Sequence, residues 1–303
     1  MKIQLNNVHF HYSIFANNDL SKSMRYLYCI VLNAKRFLSD RNTFSNCKMI
    51  LHTDAFTKKI LSEMFSIEKL VDSSKQIEFS LHNRNDGIRG MFWRLACLYD
   101  DSADIAVSAE ADESIYDCFK RLLLFTKDES AVFFGVVNKN CNERNMFLNG
   151  NFLFRPGLID NVVKREWRNC LKIFDNIQNL KYSYDETFST QFILKYMRDV
   201  DCILKIQPSR FKTLLHEEDI ETELPKYKAL FKNAKLLTNK AFDDKIAELG
   251  FEIIDKVVAP KLVKEGGKRL YCYKGKRYNI AVLNREPTIF DDEIYQLLLD
   301  YLL

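Results

Sequence analysis

The sequence predicts an α/β protein built on a mostly parallel, doubly wound sheet, with a small α+β appendage at its C-terminus. Three observations carry this reading. Short apolar runs alternate with segments of helical periodicity from residue 8 to residue 206, the pattern of parallel strands joined by crossover helices. Ala103–Ala109 is a mostly apolar run bounded by polar turns, too short for a helix and suited to a buried strand. That strand delivers Glu110-Ala111-Asp112-Glu113 at its C-terminal end, the end at which open α/β sheets bind ligands.

Taken in order, Val8–Phe15 alternates as a first strand and ends in Ala16-Asn17-Asn18-Asp19. Ser21–Leu38 places Met24, Leu27, Tyr28, Val31 and Leu32 on one helical face. Cys47–His52 and Gln76–Ser80 read as strands flanking a short helix over Thr57–Phe65. Met91–Tyr99 repeats Met91, Phe92, Leu95 and Leu98 at helical spacing until Asp100-Asp101-Ser102 breaks it. Helices follow at Tyr116–Phe125, Gly157–Phe174 and Tyr182–Met197, and strands at Ala131–Val137, within Asn145–Pro156 and at Asp201–Ile206. Composition shifts near Glu221, so residues 1–220 and 221–303 are expected to form the main domain and the appendage. The appendage reads as helices at Pro225–Asn233 and Asn239–Leu249 and a strand near Phe251–Val258. A basic loop over Lys261–Arg269, a hairpin around Lys274-Gly275-Lys276 and an amphipathic helix at Asp291–Leu303 complete it.

With 47% hydrophobic and 28% charged residues, the 303-residue chain has the composition of an ordinary globular protein. Nine Gly, five Pro and no low-complexity run argue against long flexible linkers. The first residues do not form a signal peptide, and no window is apolar enough to span a membrane. Eight cysteines lie scattered without a C-x-x-C pair, as buried reduced thiols do, which points to a cytoplasmic compartment. A net charge of +4 permits a polyanionic partner without requiring one.

Several residues carry chemistry. Glu110 and Asp112, two apart in extended chain, point the same way. Two converging carboxylates repel unless a cation sits between them, and an oxygen-only set suits Mg2+ or Mn2+. An isolated acidic triplet is equally a solvated loop. Arg94 sits among Phe92, Trp93 and Leu95 and needs an anion, which a donor phosphate would supply. The loop from His82 to Gly90, with Arg89, either faces a diphosphate or is a plain polar connection. In the appendage, Lys268, Arg269, Lys274, Lys276 and Arg277 interleave with Tyr271, Tyr273 and Tyr278. Such a hairpin contacts an acceptor, including a nucleic-acid backbone, or forms a charged rim over a small core.

The M-F-W-R helix of Met91–Arg94, followed by a strand and Glu110-Ala111-Asp112, resembles the nucleotide-sugar-dependent glycosyltransferases of GT-A type. The resemblance runs from about Lys2 to Glu217 and departs from the D-x-D pattern in having Glu first. It implies a GT-A-like fold, a UDP-sugar donor, and Mn2+ or Mg2+ held by Glu110 and Asp112, with the late His216 completing the metal shell. It also implies that the base lies near Phe15 and that Asn149-Gly150-Asn151 line the donor pocket with Ala111. Asp185 and Glu186 would contact the acceptor or supply the catalytic base. Other readings of the same residues are a hairpin turn at Asn149-Gly150, a helix cap and first-turn acid at Asp185-Glu186, and a surface histidine at His216.

The acceptor implied is a glycan or, given a composition that suggests an AT-rich bacterial or phage genome, a hydroxymethylated DNA base extruded into a pocket. Two rivals stand beside glycosyl transfer. One is a non-catalytic GT-A-like binding protein. The other is a nucleotidyltransferase, which ordinarily has a Gly-rich basic phosphate loop after the first strand, and Phe10–Leu20 contains no glycine.

Overall fold

The computed structural model describes residues 7–16, 20–40, 43–65, 67–83, 90–138, 148–174, 176–177, 184–207, 227–249, 261–265, 268–273 and 276–279. Strand β1 (Val8–Ser13) lies at the heart of an eight-stranded sheet, paired in parallel with β2 (Cys47–Asp54) and β4 (Ile105–Ala109). β3 (Ile77–His82) adds to β2 in parallel. Beyond β4 come β6 (Leu153–Phe154), β5 (Phe133–Asn138), β7 (Cys202–Gln207) and β8 (Ala234–Leu237), giving the order 3-2-1-4-6-5-7-8. Within this sheet, among the described residues, only β6 runs antiparallel, to both β4 and β5. The chain winds from β1 out to β3 and returns on the other side at β4. The topological switch therefore lies between the C-terminal ends of β1 and β4, the crevice where such sheets hold ligands. This is the mostly parallel, doubly wound α/β sheet that the sequence predicts.

Both faces of the sheet are buried, which is why its strands read as nearly continuous apolar runs. Val8, Phe10 and Tyr12 of β1 face a core built with α1 (Leu20–Ser39) and α4 (Ile115–Thr126), including Leu27, Val31, Leu122 and Phe125. The opposite face packs a second cluster. There Phe92, Leu95 and Leu98 meet Trp167 and Leu171 of α5 (Asn161–Phe174) and Phe192 and Ile193 of α6 (Tyr184–Tyr196). Alternation along β1 leaves His9 and His11 buried on the face opposite Phe10.

Side-chain caps set several helix starts. Asp54 Oδ1 accepts from Thr57 N–H at 2.7 Å to open α2 (Ala55–Phe65). Ser114 caps α4, and Thr238 caps α7 (Asn239–Glu248). The Met91–Tyr99 segment is a 3-10 helix, not the α-helix its spacing suggested. A threefold repeat stacks residues i and i+3, so Phe92, Leu95 and Leu98 form the core ridge while Arg94 and Cys97 share another.

Other differences have local causes. The polar α3 (Ile67–Ser74) escaped the hydrophobic pattern. Pro156–Leu158 forms its own 3-10 turn, so α5 begins at Asn161, later than expected. Helix occupies 227–230 of the expected Pro225–Asn233, and β8 and α7 follow it. The main sheet and its core, through Leu237, Phe242 and Ile246, thus extend past residue 220. Lys261–Glu265, expected as loop, is a strand, β9, pairing antiparallel with β10 (Lys268–Tyr273), which pairs with β11 (Lys276–Asn279). The expected strand at 251–258 and helix at 291–303 lie outside the described residues. Among the described residues no helix is long and apolar enough to cross a membrane.

Trp167 fixes the second cluster. Its Nε1–H donates to Leu95 O at 2.6 Å, and its ring lies 4.5 Å from that of Phe192. Trp167→Ala should lower stability by about 3–5 kcal/mol. Trp167→Phe, which retains apolar bulk but removes the side-chain donor to the Leu95 carbonyl, should cost about 0.5–1.5 kcal/mol. Urea-unfolding midpoints check both, and a Phe variant as stable as the wild type would refute the hydrogen-bond contribution.

Candidate active site

Three elements converge at the switch crevice: the Met91–Tyr99 helix, the end of β4 and the first turn of α6. Arg94 joins them, 3% exposed. Its Nη2–H donates to Asp185 Oδ2 at 2.9 Å, and Nη1 lies 3.5 Å from Glu110 Oε1. Burial opposes the guanidinium charge, but the carboxylates of Asp185, Glu110 and Glu186 outweigh it and drive the Arg94 pKa up, so it stays cationic. The anion that Arg94 requires is thus supplied by the protein itself.

Gly150 belongs to this clamp. A Cβ there would stand 2.0 Å from Arg94 Nη2, so the guanidinium occupies the space any other residue would need. Ser108 Oγ–H on β4 donates to Gly150 O at 2.7 Å and holds the segment in place. Around it, Asn149 Oδ1 accepts from Asn151 N–H at 3.2 Å in a local turn, and Asn149 N–H donates to Val136 O at 2.9 Å. Arg94 Nε and Asn151 Oδ1 are buried without a hydrogen-bond partner among the described residues.

The acidic loop divides its labour. Glu113 turns inward and forms a bidentate pair with Arg121 at 2.5 and 2.7 Å. Desolvation works against its charge, but Arg121 prevails and lowers its pKa. Glu110 keeps 36% of its side chain exposed. Packing around it penalises the charged form; Arg94 counters this, while Asp112, Glu113 and Asp185 reinforce it, and its pKa is raised. Crowding of carboxylates of this kind is what a bound cation relieves, but residues 110–113 close a turn, with Glu113 N–H donating to Glu110 O at 3.1 Å, so Glu110 and Asp112 are not the same-side pair of an extended segment that their spacing suggested.

Of the other expected residues, Ala111 is partly buried against the first core and Asp185 is 2% exposed, committed to Arg94. Glu186 is half-buried and adds to the field on Arg94. Phe15 is buried, its ring against Gly90, where a Cβ would stand 2.0 Å from Phe15 Cδ2. Lys268 and Arg269 lie on β10 and Lys276 and Arg277 on β11, with Cys272 opposite Arg277. Arg89, His216 and Lys274 fall outside the described residues.

Sequence reasoning passed over a second polar constellation. His9 Nδ1 and His11 Nε2 lie 2.6 and 3.0 Å from Asp100 Oδ2. His11 Nδ1 is 3.0 Å from His52 Nε2, and His52 Nδ1 is 3.0 Å from His82 Nε2. His82 in turn stacks on Trp93 with centroids 3.8 Å apart. Four of the five histidines thus stand across three neighbouring strands. Desolvation, against the pull of Asp100, lowers the pKa of both His11 and His52, so both are neutral imidazoles. Burial would raise the Asp100 pKa, but hydrogen bonds from His11, His9 and Ser102 hold it well below the usual carboxylate range. The signal was present in the His-x-His spacing on β1 and in the histidines of β2 and β3.

No protein-family model and no curated protein matches the sequence. Among solved structures, the chain is similar to the 4-diphosphocytidyl-2C-methyl-D-erythritol synthase of Anaerococcus prevotii at 11% identity and a TM-score of 0.39, over 73% of this chain and 96% of that one. It is also similar to the bifunctional IspDF of Campylobacter jejuni (12%, TM-score 0.37), covering 72% of this chain but only 54% of that one. A third is Rv0371c of Mycobacterium tuberculosis in complex with manganese (9%, TM-score 0.36), over 76% of this chain and all of that one. At these identities and scores the likenesses assign no activity.

The clamp predicts strong coupling. Arg94→Met leaves Asp185 buried and unpaired and should cost about 3–5 kcal/mol, as should Asp185→Leu, which leaves the guanidinium short of its main partner. The double variant should recover part of that loss in a double-mutant cycle by urea denaturation. Additive single effects would show that the two side chains do not depend on each other.

Proposed function

We propose that the protein is a transferase that holds a nucleotide-type donor over the C-terminal ends of β1 and β4. The observation that carries this is the half-exposed Glu110 at the switch crevice, crowded by Asp112 and backed by the buried Arg94–Asp185 pair. Glu110 and Asp112 would hold Mg2+ or Mn2+, which, when bound, neutralises charge on the donor phosphates. Phe15, Ala111 and Asn149-Gly150-Asn151 would wall the donor pocket. Arg94 supports the site from behind by fixing Glu110.

Nucleotidyl transfer onto a phosphorylated acceptor is the reading that asks least of these residues. An acceptor phosphate is already ionised and needs no general base, and Asp185 is engaged by Arg94 and hence poorly placed to serve as one. Glycosyl transfer from a UDP-sugar to a glycan or a hydroxymethylated DNA base is the second reading. It is favoured by the segment after β1, where the N–H groups of Ile14 and Ala16 donate to His52 O and Thr57 Oγ1 and so are not offered to a phosphate. In either case Lys268, Arg269, Lys276 and Arg277 on the small β-sheet are proposed acceptor contacts.

Incubation with ribonucleoside triphosphates and with nucleoside-diphosphate sugars, each with Mg2+ or Mn2+ and followed by 31P NMR, separates the readings. Pyrophosphate release from a triphosphate supports nucleotidyl transfer. Nucleoside diphosphate release from a sugar nucleotide supports glycosyl transfer. Asp112→Ala should reduce either turnover at least tenfold with its melting temperature little changed; unchanged turnover in that variant would remove the acidic loop from the site.

A further inference from the structure

We propose a second cation site, for a transition metal of the zinc class, formed by His9 Nδ1, His11 Nε2 and Asp100 Oδ2. These atoms all lie within 4.8 Å of one another, and both histidines are buried. Two imidazole nitrogens and one carboxylate oxygen suit Zn2+, Co2+ or Ni2+ better than Mg2+ or Ca2+, which take oxygen ligands. The site is therefore distinct in chemistry from the acidic loop. It is also distinct in place, because His9 lies toward the start of β1 whereas Glu110 follows the end of the parallel β4.

The groups behind the ligands support this assignment. A metal-binding imidazole characteristically has its other nitrogen held by a hydrogen bond that fixes the ring. Here Asn7 Oδ1 lies 3.1 Å from His9 Nε2, and His52 Nε2 lies 3.0 Å from His11 Nδ1. Asn7 Nδ2 donates to Ser102 O, which fixes the amide so that its oxygen faces the ring. The second carboxylate oxygen, Asp100 Oδ1, accepts from Ser102 N–H at 3.1 Å and Ser102 Oγ–H at 2.5 Å, so Oδ2 is the one turned toward the imidazoles. Zn–N and Zn–O bonds of about 2.0–2.2 Å in tetrahedral geometry separate ligand atoms by roughly 3.3 Å. The present spacings of 2.6 and 3.0 Å to Oδ2 reach that by small side-chain rotations. Asn7, His9 and Ser102 also border a cavity of about 550 Å3, which brings open space to the His9 side of the site.

Ligation through His11 Nε2 also leaves a mark further along. Without metal, a neutral His11 donates its Nε2–H to Asp100 and accepts at Nδ1 from His52 Nε2–H. With Nε2 on a metal, the His11 proton resides on Nδ1 and is donated to His52 Nε2, so neutral His52 carries its proton on Nδ1, toward His82. The proton that leaves His11 Nε2 for solvent is balanced along the row: His11 Nδ1 takes the proton of His52 Nε2, His52 Nδ1 takes that of His82 Nε2, and His82 takes one from solvent.

The full-length protein, stripped with a chelator, is titrated with Co2+ and followed by its visible d–d absorption, and with Zn2+ and followed by imidazole 15N NMR. The expected results are one equivalent of Co2+ with the intense band of a four- or five-coordinate ion, and a His52 tautomer change from Nε2–H to Nδ1–H on Zn2+ binding. His9→Ala should abolish the Co2+ band. Asn7→Gly, which keeps the positive φ of 42° and removes only the outer hydrogen bond, should weaken binding about 10–100-fold. Asp112→Ala should leave the band unchanged, which separates this site from the acidic loop. A wild-type protein that takes up neither ion overturns the proposal whether or not the variants fold. So does a band that survives His9→Ala, or Zn2+ binding that leaves His52 as it was.

Discussion

A single buried cation, the Arg94 guanidinium, organises the crevice. A charge so deep in an apolar cluster is tolerable only with counter-charges close by. Asp185 and Glu110 provide them from different elements, α6 and β4. The need to neutralise Arg94 therefore dictates how the 3-10 helix, the sheet and α6 meet. Gly150 answers the same need sterically, by leaving out the atom that would collide with the guanidinium. The half-exposed Glu110 is held in its position by this pair from behind, which ties the electrostatics of the crevice to the stability of the fold.

Much of the architecture could be read from the chain because parallel strands buried on both faces write themselves as apolar runs. The β1, β2, β4 and β7 segments and the α1, α4 and α5 helices all emerged within a few residues of their ends. What escaped was governed by something other than apolar periodicity. The polar α3 and the short edge strand β8 bury little, and β9 was masked by its lysines. At the crevice, the demand of Arg94 for an anion was legible, but not that the anion is Asp185, 91 residues away. The histidine constellation was invisible for a similar reason. Each histidine is ordinary in its own strand, and only the parallel register of β1, β2 and β3 brings them into line.

The two polar clusters sit toward opposite ends of the central strands and differ in ligand chemistry, oxygen-rich at one and nitrogen-rich at the other. Between them runs the imidazole ladder from His11 to His82, which stacks on Trp93, the immediate neighbour of Arg94. A neutral imidazole chain has one sense of hydrogen bonding at a time, so the state of its first ring determines that of the next. The ladder is thus a physical link between the inner and outer parts of the sheet, made without any charge crossing the apolar core.

The contact between Gly150 and Arg94 also constrains the order in which this chain can change through descent. A lineage that replaces Gly150 while Arg94 is present must place an atom inside the guanidinium. A lineage that first loses Arg94 leaves Asp185 buried without its cation. Each single step is harmful, a first change at Asp185 included, because it leaves the buried guanidinium short of its main partner. The three positions are therefore open to a descendant only in concert: the loss of any one is tolerated only once a second has changed with it.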